Sequence, residues 1–121
     1  WDAETRTLFS ADLFLGVKVR VAHAYERPRQ LVASLSRVLA LEPRRMFDAH
    51  RGLVPDPIDA LRAKTAWIED FIGRVEARSR EGVPASRIAR EVLGARALSD
   101  YFSAGEYSRV NLVQAVLDEG A

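Results

Sequence analysis

The sequence predicts a mixed α/β (α+β) fold: a strand, helix, strand segment within residues 1–56, then a helical C-terminal extension over residues 57–121. Three observations carry this. Two short runs with β-favouring residues, Thr7–Ala11 and 45–49, flank an amphipathic stretch that opens at Pro28. From Asp56 onward the apolar residues recur only at helical spacings. The 121 residues are 48% hydrophobic and 29% charged, the composition of an ordinary globular domain rather than of a disordered chain.

Taken in order, the first element is a half-buried strand, Thr7–Ala11, ended by Asp12. Residues 13–27 read as a loop punctuated by Gly16, in which the alternating Val17, Val19 and Val21 permit a short strand. Pro28 suits the first position of a helix, and Leu31, Leu35, Val38 and Leu39 repeat at helical spacing as far as Leu41, with Pro43 just beyond. A second strand is expected at 45–49, followed by His50, Arg51 and Gly52 in a loop closed by Pro55. A crossover of this kind makes the two strands parallel and right-handed if they share a sheet. Asp56 then caps a helix with Pro57 at its first position, and Ile58, Leu61, Thr65, Ile68, Ile72 and Val75 carry it to about Arg80. Gly82 ends it, residues 84–93 form a shorter helix stopped by Gly94, and 97–102 add a turn or two. Ser108 caps a last helix bearing Val110, Val113, Val116 and Leu117.

Composition also excludes. With 18 Lys+Arg against 17 Asp+Glu, the chain has no strong electrostatic bias of the kind a basic nucleic-acid arm requires. It has no cysteine, so disulfides, thiolate nucleophiles and Cys-based zinc sites are ruled out, and a metal would need His, Asp or Glu. Its apolar runs fall far short of the roughly 20 residues of a membrane span, and no segment has the layout of a signal peptide. A soluble, cytoplasmic protein without membrane contact is therefore expected. No glycine-rich phosphate loop and no Gly-x-Ser-x-Gly elbow is present.

In parallel α/β sheets functional groups gather beyond the carboxyl ends of the strands. Asp12 follows the first strand and His50 the second, so the crossover brings a carboxylate and an imidazole to one edge. Such a pair can act as a hydrogen-bonded catalytic couple, supply two ligands to a metal such as zinc, or simply cap a loop and make a structural hydrogen bond. His23, in the loop after Asp12, either faces substrate or is a solvated loop histidine. Trp67 and Phe71, one helical turn apart, suit core or interface, and Glu106 and Tyr107 suit structural roles.

The segments Ser10-Ala11-Asp12-Leu13-Phe14-Leu15-Gly16, Ser34-Leu35-Ser36-Arg37-Val38-Leu39 and Phe47-Asp48-Ala49-His50-Arg51-Gly52 resemble the second half of the metallo-β-lactamase-fold hydrolases. The tail from Ser103 to Val113 resembles the helical C-terminal extension of their glyoxalase-II-like branch. The resemblance runs from about Thr7 to the end. It implies part of an αβ/βα sandwich and a site with two metal ions, zinc with manganese or iron as alternatives. In such a site Asp12 would bridge the ions as a catalytic ligand and His50 would ligate one of them. It implies hydrolysis of a small-molecule ester, thioester, amide or phosphoester by metal-activated water. Ala11 stands where the family has Gly before the Asp, and Ala49 and Arg51 flank the His where Gly is commoner. The family's upstream His-x-His-x-Asp-His motif and a further His ligand are absent, and the chain opens on Trp1 as if in mid-domain. The chain is accordingly expected to be a C-terminal half, inactive alone, that associates with the missing N-terminal half or with copies of itself.

A pattern of a different functional class competes with this one. Residues 84–93, Gly94 and the next short helix have the size of a helix-turn-helix module, with Arg87, Arg90 and Arg96 placed for phosphates. Glu91 and Asp100 are interleaved with them, so nucleic-acid binding is not the expected main function, and a protein-binding module is the other form of this alternative.

Overall fold

A computed structural model describes residues 1–19, 22–23, 25–94 and 107–121, Tyr107 by its backbone. Its described elements run β1 (Thr7–Ala11), β2 (Ala22–His23), α1 (Pro28–Ala40), β3 (Arg45–Asp48), β4 (Gly52–Val54), α2 (Pro57–Arg80), α3 (Ala85–Leu93), β5 (Tyr107–Ser108) and α4 (Arg109–Gly120). The fold is mixed α+β. The helix expected at 97–102, Arg96 and Glu106 lie outside the described residues. The chain divides into two compact units, the first Trp1–Val19 with Gln30–Ile68 and the second Arg20–Arg29 with Glu69–Ala121.

The first unit is built on a three-stranded sheet in the order β1-β3-β4. β1 and β3 are parallel, as the crossover through α1 requires. The expected loop between His50 and Pro55 is instead a third strand, β4, which returns antiparallel to β3. Gly52 allows this return, because its φ of 71° turns the chain where a side chain would be strained. The sheet is therefore mixed rather than purely parallel. Register sets its two faces: Leu8, Met46 and Val54 lie in one row and are buried, at 7%, 0% and 7% exposure. The next row, Phe9, Phe47 and Leu53, points the other way and is 65%, 36% and 58% exposed, with the two phenyl rings stacked at 5.6 Å. Leu35 of α1, and Leu61 and Ile68 of α2, complete the buried apolar set of this unit together with Phe14.

The described elements of the second unit are helices and the two-residue pair β2 and β5, antiparallel with His23 opposite Tyr107. Of the permitted strand, Val17 and Val19 are not in a strand and Val21 lies outside the described residues. Phe71 and Val75 of α2, Ile88 of α3, and Val113 and Val116 of α4 are the principal buried side chains of this unit. Gly94, at φ 82°, returns its N–H to Arg90 O and ends α3. Ser108 caps α4, its Oγ accepting from Asn111 N at 3.0 Å. Arg29 ties the start of α1 to the later helices of this unit: its N–H donates to Glu119 Oε2 at 2.8 Å, Nη1 donates to Val116 O at 3.0 Å, and Nη2 pairs with Glu76.

Candidate functional site

The carboxyl ends of β1 and β3 carry the chemistry. The β1 ladder runs in register through Phe9 and Phe47, then shifts, so that Ala11 rather than Ser10 stands opposite Asp48. This bulge bends the strand end, and Ala11 takes a left-handed φ of 47°. Ala49 N still donates to Ala11 O at 3.3 Å, so the two segments remain joined one step beyond the sheet. The next residues outward on each side are Asp12 and His50. Their side chains meet, Oδ1 to Nε2, at 3.3 Å, with 78% and 70% of each exposed.

Two donors bound to one tetrahedral ion at about 2.0–2.2 Å stand about 3.4 Å apart. The Asp12–His50 separation fits that edge, and the donor set, one carboxylate and one imidazole nitrogen, suits zinc. Among the described residues no group of three or more His, Asp or Glu forms a metal-holding cluster. Among the described residues the pair would provide two of the three or four ligands a zinc site takes. As an ion pair alone, at this exposure, the contact is worth no more than about 1 kcal/mol.

Behind the pair lies a polar layer that sequence reasoning missed. Asp48, on the buried face next after Met46, is 4% exposed; its Oδ1 accepts from Leu15 N at 3.4 Å, and its Oδ2 has no hydrogen-bond partner among the described residues. Ser10, 5% exposed, donates from Oγ to Phe47 O at 3.3 Å. Lys64 of α2 is 2% exposed and donates from Nζ to Phe14 O and, at 2.9 Å, to Gly16 O. Arg51, beside His50, lays its guanidinium against Gly16, where a methyl group would come within 2.7 Å of Nη2. A signal for Lys64 was present: Leu61, Lys64, Ile68, Phe71 and Val75 form a spacing of three and four that runs through the lysine, whereas the expected stripe ran through Thr65.

His23 belongs to the second unit, where its ring stacks on Tyr25 at 4.9 Å, while Asp12 and His50 belong to the first. Phe71 is core at 2% exposure, and Trp67 is half-buried. On the helix-turn-helix candidate, Arg87 lies 3.7 Å from Glu91, which also pairs with Arg78 at 2.8 Å, so carboxylate already faces two arginines there. No described helix is long and apolar enough to cross a membrane. Comparison with protein-family models, with curated proteins and with solved structures finds no significant match to the chain.

Proposed function

We propose that this chain is the C-terminal portion of a metal-dependent hydrolase of the metallo-β-lactamase superfamily, in which Asp12 and His50 supply two ligands of a dinuclear site. The observation that carries the proposal is the 3.3 Å approach of Asp12 Oδ1 to His50 Nε2 at the carboxyl ends of two parallel strands. Zinc, with manganese or iron as alternatives, supplies when bound a water acidic enough to be hydroxide near neutral pH and a Lewis acid for the substrate oxygen. Asp12 would hold the metal through its carboxylate and would orient the nucleophilic water. His50 would hold the metal through Nε2, the nitrogen that faces Asp12. The open exposure of both side chains leaves room for a small-molecule ester, thioester, amide or phosphoester. The remaining ligands come from a partner, which the resemblance makes the N-terminal half of the fold. The uncovered row Phe9, Phe47 and Leu53 gives that partner an apolar face to cover.

Calorimetric zinc titration of the chain tests the proposal. Binding is expected to be weaker than micromolar, because two donors leave the coordination sphere short, and to weaken at least tenfold further in Asp12→Ala and in His50→Ala. Affinity unchanged in both variants overturns the assignment. Submicromolar binding of one zinc that His50→Ala abolishes shows a fuller ligand set within the chain.

A further inference from the structure

The segment between Asp12 and Gly16 is held in a shape that its own residues disfavour. Leu15 and Gly16 both have left-handed φ, at 44° and 92°, and only the second is a glycine. Side-chain-bearing residues stay in that region only where surrounding contacts over-determine them. Two buried charged groups make those contacts. Lys64 Nζ donates to the carbonyls of Phe14 and Gly16, and Asp48 Oδ1 accepts from the intervening Leu15 N–H. Three consecutive residues are thus gripped at alternating backbone groups, from a helix on one side and a strand end on the other.

A buried ammonium is a poor choice for stability alone, since an apolar side chain of similar length commonly does as well or better. What methionine lacks is a donor for two carbonyls at once. The ring of Phe14, 3% exposed and centred 5.6 Å from Nζ, lies beside the charge. The loop so fixed begins at Asp12 and ends at Gly16, which abuts Arg51, the neighbour of His50. Both members of the pair are therefore attached to the segment that Lys64 holds.

We infer that Lys64 is a positioning residue for the Asp12–His50 pair: its buried ammonium, with Asp48, locks residues 13–16 and so sets the spacing of the two donors. The inference rests on the metal-site proposal for its functional meaning, and on the loop geometry for its physical content.

The test uses the full 121-residue chain. Lys64→Met keeps the length and removes the donors; Lys64→Gln keeps a shorter amide donor; Leu35→Ala, a core change in α1, serves as the destabilised control. Zinc affinity is expected to fall about tenfold in Lys64→Met, as for loss of other groups that orient metal ligands, less in Lys64→Gln, and under twofold in Leu35→Ala. Amide hydrogen exchange should speed up selectively at residues 13–16 in Lys64→Met, and not in Leu35→Ala. Lys64→Met that folds with wild-type zinc affinity and wild-type exchange at 13–16 overturns the inference. If wild-type zinc binding ignores Asp12→Ala and His50→Ala, the metal site fails and exchange at 13–16 alone decides the role of Lys64. Should neither Lys64 variant fold, hydrogen exchange of the Lys64 ammonium in the wild-type chain decides: slow exchange supports its hold on the two carbonyls, and exchange at the rate of an exposed lysine refutes it.

Discussion

Gly16 and Gly52 both sit at left-handed φ, 92° and 71°, on the two turns that bring Asp12 and His50 together, yet their surroundings differ. A methyl group at Gly52 meets nothing within 4 Å, whereas one at Gly16 lies 2.7 Å from Arg51 Nη2 and 2.9 Å from its Cζ. Gly52→Ala therefore isolates the backbone penalty, about 1.5 kcal/mol. For 121 residues that lowers the melting temperature by about 6 °C. Gly16→Ala carries the same penalty plus displacement of the guanidinium. Because the obstructing atoms are the far end of a flexible side chain, the extra term is about 0.5–1 kcal/mol, the scale of an off-rotamer shift, or a further 2–4 °C. Thermal melts of the two variants, each also made in an Arg51→Ala background, measure both terms. The additional deficit of Gly16→Ala should vanish when Arg51 is truncated, while that of Gly52→Ala stays unchanged. A Gly16→Ala chain that melts with the wild type, or whose extra deficit survives Arg51→Ala, refutes the packing of Arg51 on Gly16 as what places it beside His50.

Met46 is fully buried in the central strand between Leu8 and Val54, so Met46→Ala should destabilise by about 3 kcal/mol in urea titration, and a loss under about 1 kcal/mol would mean that the sheet face is not packed. The exposed row Phe9, Phe47 and Leu53 leaves roughly 300 Å² of apolar surface, taking about 200 Å² for a whole aromatic side chain. Covering it is worth about 7 kcal/mol before the cost of association. Sedimentation velocity should accordingly show self-association of the chain at high micromolar concentration that Phe47→Glu removes; a wild-type monomer at every concentration counts against a covering partner for this face.

Local signals in the sequence determined most of the elements. Pro28, Pro57, Gly94 and Ser108 act through the backbone of their own turns, so helix starts and stops could be placed before any tertiary contact was known, and α1, α2, α3 and α4 begin or end at them. The parallel pairing of β1 with β3 followed from connectivity, since a helix between two strands of one sheet returns the chain in the same direction, and that placed Asp12 and His50 at one edge. The tertiary structure decided the rest. β4 is three residues long and two of them are exposed, so its pattern resembles a loop until β3 supplies the hydrogen-bonding partner. Leu8 and Phe9, or Met46 and Phe47, look alike in a strand, and only register against neighbouring strands fixes which of each pair is buried. The helical stripe through Lys64 is legible in the sequence, but the burial of Lys64 and Asp48 is not, because charge is normally solvated. They become interior only because the left-handed backbone at Leu15 and Gly16 turns two carbonyls and an N–H inward, a demand created by the fold and absent from the local sequence.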